Sequence, residues 1–303
     1  MPDGKITDGG KLGKRPLTGA QLLAKLMPSE VTLRFVHISD THISHDPDYI
    51  LPEASHTPVE GARALVDAIN NLPFTPDFVL HTGDVTYDPD PLAYVTARDV
   101  LSQIRFPVHY LNGNHDDRDL LQRIMLDREP LTPFDYQFEA KGVQIVAVDS
   151  NGPAQQPAGF VTSDQLARLE GICKDTDDER PLVIAVHHNV LPTGIPWWDE
   201  FMRMTNGEDF HQALLPARHR LRGVFHGHVH QPVDTYRDGI LYSGVVSSWY
   251  QLHAWPDQSD TRGDANGEPG FNVVTVTPNQ TFIRRHAFQV QPVSEKVGLR
   301  AEE

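Results

Sequence analysis

Short apolar runs along this chain break off, one after another, into clusters of Asp, Asn, Thr and His. Val31 to Ile38 ends in Ser39-Asp40-Thr41-His42, Phe78 to His81 in Thr82-Gly83-Asp84, and Pro107 to Leu111 in Asn112-Gly113-Asn114-His115-Asp116-Asp117. Apolar runs this short, bounded by such breakers, predict buried strands. Between them Val59 to Leu72 carries apolar residues at helical spacing with Pro58 suited to its first turn, and Pro91 to Ile104 and Arg118 to Leu126 read as further helices. Strand and helix alternate three times, which predicts an α/β fold whose polar clusters gather at strand C-terminal ends.

From Phe134 the strands come closer together. Tyr136 to Glu139 precedes Val143 to Val148, Leu182 to Val186 runs into His187-His188-Asn189, and Leu221 to Phe225 runs into His226-Gly227-His228-Val229-His230. Ile240 to Val246 follows, and Phe271 to Thr277 pairs with Thr281 to Phe288 as a hairpin about Pro278-Asn279. Helices are expected near Ser163 to Lys174, with Ser163 as N-cap, and over Glu208 to Leu215, with Asn206 as cap in a capping box with Asp209. Val190 to Asn206 and Trp255 to Gly270 read as loops. Leu17 to Met27 reads as a short helix in an N-terminal extension of residues 1–30, ahead of a body over 31–290 and a tail over 291–303.

Composition narrows the chemistry. Lys plus Arg number 26 against 41 Asp plus Glu, a net charge of -15 that opposes general nucleic-acid binding unless a bound cation reverses the local field. The single cysteine, Cys173, excludes an intrachain disulfide and a thiolate zinc cluster, and core packing is expected for it. No run approaches the roughly 18 apolar residues of a membrane span, and no apolar signal segment follows the N-terminal lysines, so a soluble, cytoplasmic protein is expected.

An Asp after a strand ordinarily caps a turn or helix, and an Asn after Gly ordinarily turns the chain. Five strand ends that all present oxygen or imidazole groups at one edge are improbable as packing and point to a metal site. Alternation would send His226, His228 and His230 to one side, or Gly227 would fan them apart.

The ordered set resembles the calcineurin-like metallophosphoesterases, whose blocks are Asp-x-His, Gly-Asp, Gly-Asn-His-(Asp or Glu), His and Gly-His-x-His. Here they stand as Asp40-Thr41-His42, Gly83-Asp84, Gly113-Asn114-His115-Asp116, His187 and Gly227-His228-Val229-His230. The resemblance implies a four-layer α/β/β/α sandwich of two mixed sheets, with the site at strand C-terminal ends. It also implies two divalent transition metal ions, Mn, Fe, Co or Zn, one held by Asp40, His42, Asp84 and His230 and the other by Asp84, Asn114, His187 and His228. Two such ions need a shared carboxylate to offset their repulsion, and neutral imidazoles leave net positive charge for phosphate.

The expected reaction is attack of a metal-bridging hydroxide on phosphorus. His115 is the candidate to protonate the leaving oxygen or to stabilise charge on the phosphoryl group, and Asp116 the candidate to orient its ring. Asp117 is expected to act as helix N-terminal charge. His188 is expected behind the ligands or facing the pocket, His226 behind them or buried in the sheet edge, and Gly227 is expected to turn the backbone so that its flanking imidazoles reach separate ions. Gly83-Asp84-Val85-Thr86-Tyr87 also matches the Gly-Asp-x-x-Tyr of purple acid phosphatases, but that branch has Asp-x-Gly where this chain has Asp40-Thr41-His42, so Tyr87 is not expected to be a ligand.

Within the family the likeness extends to bacterial class III cyclic-nucleotide and glycerophosphodiester phosphodiesterases, through His37-Ile38-Ser39-Asp40-Thr41-His42, Gly113 to Arg118, and Gly194-Ile195-Pro196-Trp197-Trp198-Asp199. Asn189 departs from the proline that often follows the histidine pair in those relatives. Trp197 and Trp198 would stack on a base, line a lid, or join copies in a homo-oligomer. The expectation is a dinuclear phosphodiesterase acting on a small soluble phosphoester. A phosphomonoesterase on the same metals is the alternative, with a non-catalytic scaffold of the same fold behind it.

Overall fold

Successive strand residues face opposite sides, and where both sides are apolar each strand needs a partner layer on either face. The computed structural model describes residues 33–290 apart from residue 155, and there that demand is met by four layers. In chain order the elements are β1 (Leu33–Ile38), α1 (Pro58–Asn70), β2 (Phe78–His81), α2 (Pro91–Leu101), β3 (Val108–Tyr110), α3 (Arg118–Leu120), β4 (Tyr136–Ala140), β5 (Val143–Val148), α4 (Ser163–Lys174), β6 (Leu182–Val186), α5 (Gly207–Leu214), β7 (Leu221–His226), β8 (Asp234–Arg237), β9 (Ile240–Gly244), β10 (Gln251–Leu252), β11 (Gly263–Asp264), β12 (Gly270–Val276) and β13 (Thr281–Ala287).

One sheet runs β13-β12-β1-β2-β3 and the other β4-β5-β6-β7-β9-β8, with β10 and β11 a separate pair. β1, β2 and β3 are parallel, as are β5, β6, β7 and β9, while β12, β13, β4 and β8 join antiparallel at the margins. Alternation sorts the strand residues between cores. Phe35, Leu80, Ile145, Ala147, Val183, Ala185, Phe225 and Val274 fill the space between the sheets. Their neighbours Val36 and Val79 pack with Leu65, Ile69 and Ala97 of α1 and α2. Val146, Ile184 and Val224 pack with Leu169 and Phe210 of α4 and α5. This is the expected α/β/β/α arrangement of two mixed sheets.

Phe225 is the bolt between the sheets, edge-on to Phe35 at 5.2 Å, while Phe35 stacks on Phe78 at 5.1 Å. Each such buried ring contributes on the order of 2 kcal/mol by burial. The bolt also fixes the strand that delivers His228 and His230 against the sheet that delivers Asp40 and Asp84. Cys173 is buried, as expected.

Several local expectations change. The cap of α4 is Thr162, one residue earlier than Ser163, in a capping box with Gln165. Asn206 precedes α5 but makes no capping bond; its amide instead bridges the main chain of Val161. Arg118 to Leu126 is one short turn that widens into π-helical geometry over Leu121–Met125, and Trp198–Met202 inside the expected 190–206 loop does the same. β8, β10 and β11 are added strands, and the strand from Ile240 stops at Gly244. The helix expected over Leu17 to Met27, the extension and the tail lie outside the described residues. Among the described residues no helix is long and apolar enough to cross a membrane.

Candidate active site

The site lies where β1, β2, β3, β6 and β7 end, and the chain leaves β1, β2 and β7 in an unusual backbone state. Asp40, His42, Asp84, His228 and His230 all have positive φ, between 47° and 70°. A non-glycine residue there costs about 1 kcal/mol or more, so five together must be held by their surroundings. Part of the hold is visible: Asp40 N–H donates to the Gly83 carbonyl at 2.9 Å, and His42 N–H to the Asp84 carbonyl at 3.0 Å. The His228 N–H donates to both carboxylate oxygens of Asp40, at 3.2 and 3.0 Å. The strain turns successive side chains inward instead of alternating them, and Asp40, His42, Asp84, His187, His228 and His230 are all buried.

Three imidazoles have their orientation set by the main chain. His115 Nδ1 donates to the Tyr87 carbonyl at 2.7 Å, His187 Nδ1 to that of Thr82 at 2.8 Å, and His230 Nδ1 to that of Tyr250 at 2.9 Å. A neutral ring protonated at Nδ1 turns a bare lone pair at Nε2 toward the site. His187 Nε2 then meets Asn114 Oδ1 at 3.1 Å and Asp84 Oδ2 at 3.3 Å, which are themselves acceptors. His230 Nε2 meets His42 Nε2 at 3.0 Å and Asp40 Oδ1 at 3.4 Å. Asp84 Oδ2 also lies 3.7 Å from His42 Nε2, so this one oxygen faces both clusters.

Acceptors that converge on acceptors need a cation among them. Burial disfavours a charged His187, but Asp84 and then Asp40 outweigh it and raise its pKa to about 9, so that without a metal a proton on Nε2 takes the cation's place and a bound metal would displace it. Burial also opposes a charged Asp40, and His230 beside it reverses the balance and lowers its pKa to about 2. The buried Nε2 of His228 has no hydrogen-bond partner. The triplets Asp40-His42-His230, Asp40-Asp84-His187 and His187-His188-His228 each bring their ligand atoms within 4.8 Å. A mixed nitrogen and oxygen donor set without sulfur fits divalent transition metals.

Other residues stand differently from expectation. Asp116 does not touch the His115 ring. Its carboxylate accepts from the N–H groups of Val85, Thr86 and Gly113 and from the hydroxyls of Thr86 and Tyr94, while burial and Asp84 push its pKa up to about 6. It therefore ties the end of β2 to the end of β3. Orientation of His115 falls to the Tyr87 carbonyl, with the Tyr87 ring stacked on it at 5.2 Å. Asp117 caps α3 through the N–H groups of Asp119 and Leu120.

Both nitrogens of His188 are taken, by Ser150 Oγ at 2.7 Å and the Pro157 carbonyl at 3.1 Å, which sets it behind the pocket wall. His226 Nδ1 donates to the Gly227 carbonyl at 3.1 Å. Gly227 itself is not left-handed; its neighbours His228 and His230 are. What it supplies is room, because a Cβ there would run into Ser39 Oγ and Asp40 Oδ2.

A cavity of about 200 Å³ opens over this cluster. Half of its lining residues are of the ligand type or beside them, His42, Asp84, Asn114, His115, His228 and His230, and the other half are Pro157, Trp197, Met202, Leu252, Thr261 and Tyr250, whose ring packs on that of His230 at 4.6 Å. No Lys or Arg lines it among the described residues. The tryptophan pair divides: Trp197 faces the cavity, whereas Trp198 is fully buried with Ile195, Met202, Val229 and Leu252 and faces neither substrate nor a partner. A larger cleft, lined by His253 and the loop from Trp255 to Arg262, contains none of the candidate metal ligands at the strand ends. Sequence reasoning missed Tyr250, Thr82 and the Tyr87 carbonyl, since a main-chain oxygen has no signature in residue type.

Residues 33–232 match the calcineurin-like phosphoesterase family. The chain is 25% identical over 260 residues to the 3',5'-cyclic adenosine monophosphate phosphodiesterase CpdA of Pseudomonas aeruginosa, covering 85% of this chain and 87% of that one. It is 28% identical over 267 residues to CpdA of Escherichia coli, covering 88% and 90%. Among solved structures, a dimetal phosphatase from Danio rerio aligns with a TM-score of 0.57 at 14% identity, over 84% of this chain and 99% of that one, a likeness of fold alone. With residues 33–232 matched to it, this chain belongs to the calcineurin-like phosphoesterases and is a hydrolase of phosphoric esters.

Proposed function

We propose that the protein is a dinuclear metal-dependent phosphodiesterase acting on a small soluble diester of the cyclic-nucleotide or glycerophosphodiester type. The observation that carries the diester over the monoester is the cavity lining. A monoester is largely a dianion near neutral pH and is ordinarily met by Arg or Lys in addition to metals. A diester carries one negative charge and two organic substituents. A pocket whose far half is Pro157, Trp197, Met202, Tyr250 and Leu252, without a basic side chain, suits the second. The names borne by the relatives point the same way.

In this reading Asp40, His42, Asp84 and His230 would hold one divalent ion, and Asp84, Asn114, His187 and His228 the other. The pair, when bound, supplies Lewis acidity and acidified water. The chain does the rest. Carbonyls of Thr82 and Tyr250 hold His187 and His230 in the tautomer that presents Nε2. His115, fixed through Nδ1 by Tyr87, turns Nε2 toward the cavity; as the imidazolium it would carry a proton on that atom as well and pass it to the departing alkoxide. The apolar wall excludes water from the diester's second substituent.

The test is a metal-reconstituted panel of bis-p-nitrophenyl phosphate, p-nitrophenyl phosphate, a cyclic nucleotide and a glycerophosphodiester, with Asn114→Ala as control. A diester is expected to have the highest kcat/KM. Monoester turnover above that of every diester would make the protein a phosphomonoesterase, and no turnover with any metal would return it to a scaffold.

A further inference from the structure

We propose that Trp197 is the specificity-determining residue of the pocket, a stacking platform for a planar heterocycle carried by the diester; this rests on the phosphodiesterase reading above. Trp197 shares one cavity with His115 and the metal-ligand cluster, so a substituent attached to a phosphate over that cluster is within reach of the indole. Its ring packs against Phe201 at 4.4 Å, and with the indole also lining the cavity it presents apolar surface there.

The main chain that carries the platform is tied down on both sides of it, which favours stacking, because a segment that must first be ordered gives up much of the gain. The Trp197 N–H donates to the Gln258 carbonyl at 3.2 Å. The Asp199 carboxylate ties down the approach to the turn, accepting from the Thr193 N–H at 2.6 Å, the Thr193 hydroxyl at 3.0 Å and the Gly194 N–H at 2.9 Å. Beneath the ring, Trp198 and Met202 pack with Val229, the residue between His228 and His230, so platform and cluster share one apolar base.

The surroundings of the indole favour a flat, weakly polar group. The far half of the cavity has Thr261 and Tyr250 as its side-chain hydroxyl bearers and no acidic side chain. A glycerol headgroup would find few partners there. A quaternary ammonium would find no carboxylate beside the indole to balance its charge. A nucleobase needs only a face to stack on and a hydroxyl for its edge.

The experiment compares the unsubstituted enzyme with Trp197→Leu and Trp197→Phe, all metal-loaded, on cyclic AMP, glycerophosphoethanolamine and glycerophosphocholine. Calorimetric binding of adenosine, which carries no phosphate, is measured alongside. Trp197→Leu is expected to raise KM for cyclic AMP roughly 5- to 150-fold, the range of one base–aromatic stack. Trp197→Phe should recover most of it, the glycerophosphodiesters should change less than about twofold, and adenosine binding should be lost in the Leu variant alone. Equal losses on all three diesters, or a loss confined to glycerophosphocholine, would overturn the proposal. If the unsubstituted enzyme turns over no diester, the function proposed above fails, and adenosine binding still decides the platform: binding weakened by Trp197→Leu supports it, and binding absent or indifferent to that change overturns it.

Discussion

The two halves of the cavity are built by opposite means. The ligand half consists of polar groups at strand ends, five of them in left-handed backbone, with imidazoles aimed by main-chain carbonyls. The far half is a loop wall of apolar side chains over a small buried cluster around Trp198. The first half stores strain and unpaired lone pairs that a bound cation relieves; the second gains by ordinary burial and needs nothing bound. Function is therefore expected to fail in different ways when each is damaged: loss of metal on one side, loss of discrimination or of stability on the other.

The largest effect should come from Asp84→Asn. It retains the size of the side chain but removes the one carboxylate oxygen that faces both His42 and His187. kcat/KM on any diester is expected to drop by about 10³-fold or more, several kcal/mol of transition-state stabilisation, together with loss of bound metal by elemental analysis. A variant that kept full metal and activity would erase the distinction between the halves.

On the apolar side, Trp198→Ala should cost about 3–5 kcal/mol by leaving a cavity, read as a lowered denaturation midpoint. Trp197→Leu should leave that midpoint within about 1 kcal/mol, since Trp197 is only partly buried. Equal destabilisation by the two would mean that both tryptophans are core. A smaller but sharper effect is expected for Gly227→Ala, whose Cβ would crowd Asp40 without removing a ligand. Metal affinity should fall about 10- to 100-fold, the range seen when support around ligands is lost, and excess metal should restore turnover.

The smallest expected effect concerns three buried imidazoles behind the ligands. Burial, with neighbouring charges, lowers the pKa of His37 to about 3 and those of His81 and His226 to about 4. In the unfolded chain they titrate near 6.5. Their contribution is complete above that pH and is lost as pH falls toward 4, because the unfolded chain takes up protons that the folded one refuses. The slope is at most about 1.4 kcal/mol per pH unit for each. Denaturation midpoints of the metal-loaded His226→Gln variant should show a shallower fall between pH 6.5 and 4 than those of the unsubstituted protein.

How much of this could be read in advance follows the same division. The strand ends were legible because side-chain type and position along the chain both reported them: Asp40, Asp84, His187 and His228 each follow an apolar run, and the alternation of strand and helix announced an α/β fold, whose four layers only the family resemblance implied. Asp116 misled because residue type cannot say which partner a carboxylate meets. Four donors from the loops after β2 and β3, and the Tyr94 hydroxyl of α2, claim it before the neighbouring ring can. The tryptophan pair was equally opaque. Adjacent identical residues entering a helical turn diverge by about 100°, so one faces the cavity and the other the core, and only the packing of Val229 and Leu252 decides which. Asn189, singled out by sequence, is buried with both amide atoms unpaired, and nothing in the structure explains its choice.

The central claim is that the converging lone pairs at the strand ends are a site for two cations sharing Asp84. It is tested most directly by titrating metal-free protein with Mn²⁺ in a calorimeter and locating the ions by anomalous scattering. Two ions per chain are expected, about 4 Å apart on either side of the Asp84 carboxylate, with both lost or weakened in Asp84→Asn. A single ion, or two ions of which neither contacts Asp84, would contradict it.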